Sequence, residues 1–444
     1  MEKIIRLIKE GRIYEARSFL NGENAVDIAE FFHELEDIDM IVLFRILPKD
    51  KAAEVFSYMH PVDRQYLVEK LSDEEFAQVF EKLCVDDAVD FIEELPANVV
   101  KRVLRNLPDD RSKTINTLLN YPEDSVGSIM TTEYVDIKEG LTVGEAIEHI
   151  RAVGMDRETI NTIYVTDNDR VLTGILEIRQ LILSPPDTLI SDLTDIKYMF
   201  LATTEDREEA ANTFTKYGFL AMPVVDGEHR LVGIVTVDDI LGVINEEHEE
   251  DFAKMNALAP GERPYLEEGV FTLAKRRIFW LLFLMISATF TGMIIRKYEV
   301  VLSSVVVLAS FIPMLMDTGG NAGSQSSTLI IRGLALHELS PRDFGKVMWK
   351  ELRISLLVGT TLAAVNFARL YFIDKVDTSV CFTVCGSLII IVVMAKVVGG
   401  LLPIIAKQMR LDPAIMAGPL ITTIVDAVSL IVYFNFAVRL VDMH

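Results

Sequence analysis

A carboxylate and two amides lie in a stretch of this chain that is otherwise apolar enough to enter a membrane. The stretch runs from Phe311 to Arg332, FIPMLMDTGGNAGSQSSTLIIR, and carries Asp317, Asn321 and Gln325. In hydrocarbon, irregular backbone must face protein or water, and a carboxylate usually marks an ion or substrate path. The alternative is a kinked helix whose small residues allow close packing. Packing alone does not require an acid and two amides, so the stretch predicts a conduit.

A second carboxylate, Asp426, lies near the middle of the last apolar run, which begins at Asp412-Pro413. Lys396, in the preceding apolar run, could reach it. If the two side chains pair, Asp426 is a structural residue, because intramembrane charges commonly pair with one another. If they do not pair, Asp426 is a ligand in a pore.

The residue types of the apolar runs indicate which cation such a pore would carry. Mg²⁺ gives up its waters reluctantly and suits one carboxylate that faces a wet axis. Ca²⁺ would need a denser cage of oxygen ligands, and Zn²⁺ or Cu⁺ would need histidine or cysteine. The runs contain no histidine, and Cys381 and Cys385 are typical of buried thiols. The pattern therefore favours Mg²⁺.

Charge divides the chain into two halves. Residues 1–274 hold 27 Lys and Arg against 56 Asp and Glu, a net charge of −29, whereas residues from Lys275 onward hold 16 against 10, a net charge of +6. So acidic a surface argues against nucleic acid as a partner and for cations. Three cysteines make no disulfide framework. The first residues, MEKIIRLIKEGR, lack the apolar core of a signal peptide, so the acidic half is expected in the cytoplasm.

Residues 1–124 contain a repeat. Apolar residues recur at a spacing of twelve, at Leu47, Met59, Leu71, Leu83, Leu95 and Leu107. The segments between them are amphipathic at helical spacing, and Pro and Asp at their starts suit helix N-termini. The repeat predicts an α-helical, superhelical stack in which each short helix packs on its neighbours. Asp86, Asp87 and Asp90 are helix caps in the simplest interpretation and cation sensors in the alternative.

Residues 125–244 change to short strand-like runs that alternate with helical patterns. The order occurs twice, at about 125–190 and 191–244, and this duplication predicts a pair of α+β units. Gly174-Ile-Leu176 in the first copy corresponds to Gly233-Ile-Val235 in the second. The span resembles a tandem pair of CBS modules.

The resemblance also implies a nucleotide site. In nucleotide-binding CBS modules a Thr and an Asp three residues later hold ribose and phosphate. Thr236 and Asp239 match that pattern in the second copy, whereas the first copy has Glu177 and Gln180. Adenine nucleotide such as ATP therefore fits the second copy better than the first.

Residues 245–265 begin with the acidic run NEEHEED, which ends at Asp251 and predicts a helix that connects the two halves. Like charges at helical spacing repel one another, so bound cations would stabilise this helix. The alternative is a solvated linker. Pro260-Gly261 and Pro264 are expected to end the helix before the membrane.

Residues 275–444 predict an all-α transmembrane domain. Five apolar runs are each long enough to cross a bilayer at roughly 20 residues per crossing. They are Ile278–Ile295, Val301–Ile331, Ile354–Phe372, Phe382–Ile405 and Pro413–Val438. The second run is overlong and is expected to break at its Gly-rich motif. Basic residues cluster before the first run and between the second and third, which places the N-terminus inside and the C-terminus outside.

Three motifs of the apolar half resemble the signature of one family. Thr318–Ala335 reads TGGNAGSQSSTLIIRGLA, Asp412-Pro413 begins the last run, and Thr422-Thr-Ile-Val-Asp426 lies within it. These look like the signature elements of the MgtE family of magnesium channels. The order of helical N domain, CBS pair, acidic helix and five spans also matches, so the resemblance covers the full chain.

The resemblance implies a homodimer in the cell membrane, with a Mg²⁺ path on its two-fold axis that cytosolic Mg²⁺ closes. Asp426 would bind hydrated Mg²⁺, Asn321 would line the path, and Asp412 would lie at its cytoplasmic mouth. The implied cytosolic sensors are Asp239, Glu247, Glu250 and Asp251, besides the candidates Asp86, Asp87 and Asp90. The chain departs from some members of the family at Gly242, Asp317 and Lys396.

Other functions remain open on the sequence. The path could carry Mn²⁺ or Co²⁺ as well, or belong to a coupled carrier in which Lys396 acts beside a carboxylate. The chain could instead be a membrane-anchored nucleotide sensor whose spans only tether it, although polar residues in two spans argue against a mere anchor. No catalytic constellation stands out, so an enzyme is not expected.

Overall fold

The computed structural model describes residues 4, 6–7, 10–35, 37–95, 97–259, 265 and 268–441. The chain divides into two compact units, Met1–Asn245 and Glu246–His444. The expected helix breakers Pro260, Gly261 and Pro264 lie outside the described residues.

The first unit begins with a stack of short helices, as the repeat predicts. They are α1 (Ile13–Gly22), α2 (Ala25–His33), α3 (Asp37–Ile46), α4 (Lys49–Tyr58), α5 (Pro61–Lys70), α6 (Asp73–Phe80), α7 (Val85–Glu93), α8 (Ala97–Arg105) and α9 (Asp109–Leu118). Several helices contact the helix two places further along, as α2 does α4 and α4 does α6. Ser72 forms a capping box at the start of α6. The superhelical stack is confirmed.

Aromatic rings fill the centre of this stack. Phe56 is fully buried on α4, and its ring lies edge-on to those of Phe44, Phe76 and Phe91, with centroids 6.2, 6.0 and 4.9 Å away. Such edge-to-face contacts add to the hydrophobic stabilisation of the buried rings. Each helix therefore buries its apolar face against its neighbours rather than in a separate core.

The rest of the first unit contains two copies of one α+β arrangement. The first copy comprises β1 (Asp136–Lys138), α10 (Val143–Val153), β2 (Thr162–Thr166), β3 (Leu172–Glu177), α11 (Ile178–Leu183) and α12 (Ile190–Leu193). The second comprises β4 (Leu201–Ala202), α13 (Arg207–Tyr217), β5 (Ala221–Val225) and β6 (Leu231–Thr236). In each sheet the first strand pairs parallel with the second, and the second antiparallel with the third. The duplication is confirmed.

The acidic run does not form a helix of its own. It continues α14 (Val237–Met255), which begins directly after β6 and passes the boundary between the two units without interruption. The helix therefore starts earlier than Asn245 and ends at Met255, before Ala257 adopts a positive φ of 53°. The like charges of the run therefore do not interrupt the helix.

The second unit is helical. It contains α15 (Val270–Lys297), α16 (Glu299–Ser304), a 3₁₀ segment (Val306–Phe311), α17 (Ile312–Ala335), α18 (Phe344–Ala368) with a π-helical end (Arg369–Ile373), α19 (Thr378–Gln408) and, after a 3₁₀ turn (Pro413–Met416), α20 (Gly418–Val441). In the described part of the chain, four helical segments are long and apolar enough to cross a membrane: Val270–Lys297, Pro341–Ile373, Thr378–Gln408 and Pro413–Arg439. The polar residues of α17 set it apart from these four.

Helix α19 is the centre of this unit, since it packs on α17, α18 and α20. Glycines allow the closest approach between the backbones of these helices. A Cβ added to Gly399 of α19 would lie 2.2 Å from the carbonyl oxygen of Gly323 on α17. Only glycine leaves room for such backbone contact, as small residues do between membrane helices generally.

The predicted break in the second apolar run lies elsewhere than expected. The Gly-rich motif is continuous helix within α17, and the chain is instead interrupted just before it, at Val305–Phe311. There the buried hydroxyl of Tyr433 on α20 donates a hydrogen bond to the Leu308 carbonyl at 2.9 Å. The glycines are therefore contact positions for α19 and α20 and do not bend the helix.

Replacing Gly399 by alanine should destabilise the second unit. The added methyl group meets backbone rather than a movable side chain, and overpacking of this kind costs about 1–3 kcal/mol. Gly292→Ala on α15 is the matched control, because nothing lies within 4 Å of a Cβ there. The measurement is thermal aggregation of the detergent-solubilised protein, followed by size-exclusion chromatography. Equal melting of the two variants would contradict the contact.

Candidate functional site

The polar residues of α17 lie on one exposed side of that helix. Asp317, Asn321, Gln325 and Thr328 are all exposed in the single chain; we call them the polar stripe. The opposite side carries Gly319, Gly320 and Gly323, which are buried against α19 and α20. The sequence therefore separates a packing face of small residues from a polar face on the same helix.

Asp426 lies half-buried on α20, next to the polar stripe. A Cβ on Gly320 would lie 3.1 Å from Thr422, one turn before Asp426, so α17 and α20 are in close contact there. Asp317 and Asp426 are near enough for their charges to interact. The structure thus brings together the carboxylates of two helices that are distant in sequence.

Lys396 does not neutralise Asp426. It is buried on α19, where its ammonium donates to the Ser326 hydroxyl at 3.4 Å, and Ser326 in turn donates to Glu351 of α18 at 2.7 Å. The salt bridge between Lys396 and Asp426, which would make Asp426 a structural residue, is therefore not formed. Glu351 escaped the sequence reasoning because it precedes the third apolar run and stands between Lys350 and Arg353 as an ordinary surface acid would.

Asp412 lies at the start of the last span, in contact with the end of α14. It accepts a hydrogen bond from the Ala414 amide at 2.8 Å, and the ammonium of Lys254 lies 2.6 Å from its other oxygen. Lys254 also pairs with Glu250, one turn earlier on α14. Burial lowers the Lys254 pKa, but the bonds to Asp412 and Glu250 outweigh this effect and raise it overall. We call these three residues the mouth contact.

Backbone packing supports the mouth contact. Gly418, at the start of α20, has a φ of +43°, and a Cβ there would lie 2.5 Å from the carbonyl oxygen of Met255. Ala253 is buried, whereas Phe252 is exposed. The sequence reasoning missed Lys254, because a lysine after an acidic run is typical of solvent-exposed helices.

In the first unit, Asp86, Asp87 and Asp239 form an acidic cluster. Asp86 is buried, and its Oδ1 has no hydrogen-bond partner among the described residues. Burial, and then the charge of Asp239, raise the pKa of Asp86 well above its ordinary value. Burial and the charge of Glu158 raise that of Asp87 to about 6. These aspartates are not caps: Cys84 is the N-cap residue of α7, and Asp90 lies exposed on the same helix.

Asp239 also takes part in the start of α14. Its carboxylate accepts from the Thr236 hydroxyl at 2.5 Å and from the Thr236 amide at 3.3 Å. Burial raises its pKa to about 7 despite these bonds, with a contribution from the charge of Asp238. In the first copy, Gln180 accepts from the Glu177 amide at 2.9 Å in the same place. Glu247 and Asp251 lie half-buried on α14.

Sequence families and solved structures agree with this arrangement. A model of divalent cation transporters, MgtE, matches residues 312–436; the MgtE intracellular N domain matches residues 23–124; and CBS domains match residues 126–186 and 190–246. A magnesium transporter MgtE of Thermus thermophilus is 36% identical over 98% of this chain and 97% of its own length. The chain belongs to the MgtE family.

Other MgtE proteins extend the comparison. The magnesium transporter MgtE of Bacillus subtilis is 32% identical over 98% of this chain and 96% of its own length. A crystal structure of the cytosolic domain of the Mg²⁺ channel MgtE in complex with ATP is 35% identical, with a TM-score of 0.52 over 54% of this chain and 98% of that one. The soluble part of a magnesium transporter gives a TM-score of 0.53 at 29% identity, over 55% and 97%. These relatives are transporters rather than enzymes.

The acidic cluster should make the metal-free protein less stable as pH rises. A carboxyl whose pKa is about 7 in the fold and near 3.8 when unfolded binds more protons in the folded state between those values. The stability contributed by protonated Asp239 is present below this window and lost as pH rises through it, by up to about 4 kcal/mol. Asp239→Asn should flatten this slope in thermal melts with EDTA. Asp187→Asn, an exposed carboxylate, should leave it unchanged; an unchanged slope in Asp239→Asn would contradict the assignment.

Proposed function

We propose that two copies of this chain form a Mg²⁺ channel that cytosolic Mg²⁺ closes. The observation that carries the proposal is the polar stripe, which a single chain leaves exposed on a helix among membrane-spanning neighbours. Hydrocarbon cannot satisfy a carboxylate and two amides, so the stripe needs a water-filled space lined by protein. A second copy across a two-fold axis would supply that space.

Asp426 would be the ligand that attracts the ion. No described cation forms an ion pair with it, so its charge is available to the path. One carboxylate from each subunit would hold Mg²⁺ while the ion keeps most of its waters. Asn321 would line the same path as a hydrogen-bond partner for those waters. Lys396 is engaged with Ser326, which supports a channel over a coupled carrier in which Lys396 acts beside Asp426.

The distribution of basic residues supports an orientation with the first unit in the cytoplasm and the C-terminus outside. The acidic first unit would then meet cytosolic Mg²⁺, whereas the polar stripe would connect the two sides of the membrane. Phe279, Leu281 and Phe290, exposed on α15, would contact lipid.

Closure by Mg²⁺ follows from repulsion. Each chain carries a net charge of −29 in residues 1–274, and two such domains repel one another until cations bind between carboxylates. Asp86, Asp87 and Asp239 are one candidate set of ligands, with Asp90 nearby in sequence. Glu247, Glu250 and Asp251 on α14 are another. Cations that favour a compact cytosolic arrangement would favour the closed state by linkage.

Adenine nucleotide is the proposed second ligand of the cytosolic region. Thr236 and Asp239 are the residues of the second CBS copy that would meet ribose and phosphate. Asp239 then belongs to both proposed sites, so nucleotide and Mg²⁺ would influence each other there. The ATP complex of a related cytosolic domain supports this assignment.

Asp426→Asn should abolish or greatly reduce Mg²⁺ flux into liposomes while leaving the dimer folded. Asparagine keeps the shape and removes the charge that attracts the ion. Asp374→Asn, between α18 and α19, is the matched control for loss of one carboxylate. Mn²⁺ and Co²⁺ in the same assay test the broader selectivity. Wild-type Mg²⁺ flux through a folded Asp426→Asn protein would refute the pore assignment.

Lys254→Gln should raise the cytosolic Mg²⁺ concentration needed for closure about fivefold, since a partly exposed ion pair contributes about 1 kcal/mol. Without the ammonium, Glu250 and Asp412 repel and the end of α14 leaves the mouth more readily. Lys346→Gln removes an exposed ion pair to Asp343 and is the control. If both variants close at the wild-type concentration, the mouth contact plays no part in gating.

A further inference from the structure

Three potential metal ligands meet at the start of α7, beside the acidic cluster. They are Cys84, Glu133 and Glu158, and one ligand atom from each lies within 4.8 Å of the others. Backbone bonds hold the three segments together: the Glu158 amide donates to the Glu133 carbonyl at 2.8 Å, and the Val85 amide donates to the Glu133 carboxylate at 3.2 Å. The arrangement is thus fixed by main chain on both sides.

The thiol of Cys84 does not cap its helix and instead lies beside the Glu158 carboxylate. Cys84 is the N-cap residue of α7, but its side chain accepts no hydrogen bond from the helix. The residue is half-buried, and the other two cysteines of the chain lie in α19. A serine or aspartate would be the better N-cap, so capping does not explain a cysteine here.

Two buried carboxylate oxygens beside the thiol lack partners among the described residues. They are Oε2 of Glu158 and Oδ1 of Asp86, and Asp86 is only 7% exposed. Burial, and then Glu158 and Asp86, raise the pKa of the Cys84 thiol above its ordinary value, so both carboxylates lie close to the sulfur. Buried acceptors without donors are rare and destabilising. The guanidinium of Arg111 lies 3.7 Å from the Glu133 carboxylate and partly compensates its negative charge.

We propose that Cys84, Glu133 and Glu158 bind a thiophilic divalent cation such as Zn²⁺, with Asp86 completing its surroundings. One sulfur and two carboxylates with a position left for water resemble an open zinc site rather than the all-oxygen environment that Mg²⁺ prefers. On binding, the thiol proton passes to water and the cation bonds to the sulfur. The site is therefore distinct in chemistry from the proposed Mg²⁺ sensors.

Such a cation would connect two parts of the first unit. Cys84 belongs to the helical stack, whereas Glu133 and Glu158 precede β1 and β2 of the first CBS copy. A bond to each would link the stack to the CBS pair at one point. The inference goes beyond the proposed Mg²⁺ channel and stands without it, because it concerns a different ion.

Co²⁺ is the probe, since a thiolate bound to Co²⁺ gives a charge-transfer band in the near ultraviolet. We expect one equivalent of Co²⁺ to produce this band in the chelator-treated full-length protein in detergent, in the presence of excess Mg²⁺. Zn²⁺ should abolish the band by displacement. Absence of the band, or its loss to millimolar Mg²⁺, would overturn the proposal.

Single substitutions test whether the Co²⁺ band comes from the site at Cys84. Cys84→Ser should remove the band and keep the fold, because serine is a good N-cap, and metal-free thermal melts check that it does. Cys381→Ser and Cys385→Ser should keep the band. Glu158→Gln should weaken Co²⁺ binding about tenfold or more, by analogy with the loss of metal-site partners. A band that survives in Cys84→Ser, or unchanged affinity in Glu158→Gln, would contradict the assignment.

Discussion

The absence of hydrogen-bond partners in hydrocarbon is the constraint on which the second unit depends. A carboxylate and two amides on α17 are stable in a membrane only where protein and water surround them. One side of the helix must therefore pack tightly on protein, which leaves the other side for the proposed path. Gly323 and Gly399 meet that requirement, since they let the backbones of α17 and α19 touch. The polar and the small residues of the motif thus serve the same end.

In the first unit, the main physical constraint is the repulsion between carboxylates. The packing of the first unit buries Asp86, Asp87 and Asp239 near other carboxylates, and burial, followed by those neighbouring charges, raises their pKa values. A fold that concentrates unfavourable charge in one place responds strongly to the cation that removes it. The concentration of negative charge at this cluster is thus a property of the fold as well as of the acidic composition.

Residue type and spacing were sufficient for the three architectural parts of the chain. The twelve-residue repeat, the duplicated α+β order and the long apolar runs each follow from local periodicity, which the fold preserves. Asp426, Asn321 and Asp317 were recognisable because polar residues are conspicuous in apolar sequence. Asp412 was recognisable from its Pro413 neighbour at the start of the last run.

The contacts between distant residues were not predictable in this way. Glu351 and Lys254 look like surface charges in sequence, and only tertiary packing brings them to Ser326 and Asp412. Glycine often bends a helix, so the sequence predicts an interruption at the glycines, whereas in the fold glycine allows close packing and the interruption precedes α17. Continuous α14 was divided at Asn245 because its composition changes there, although its helical geometry does not. In each case the missing information was which side of a helix meets another helix.

The bond from Tyr433 to Leu308 has a mechanical consequence. A break ahead of a long helix would normally allow that helix to change its angle to the preceding segment. Here a buried hydroxyl of α20 is hydrogen-bonded to the segment at the break, so the start of α17 is connected to the second half of α20. A rotation of α20 would carry the start of α17 with it, and the two carboxylates on these helices would move as one body.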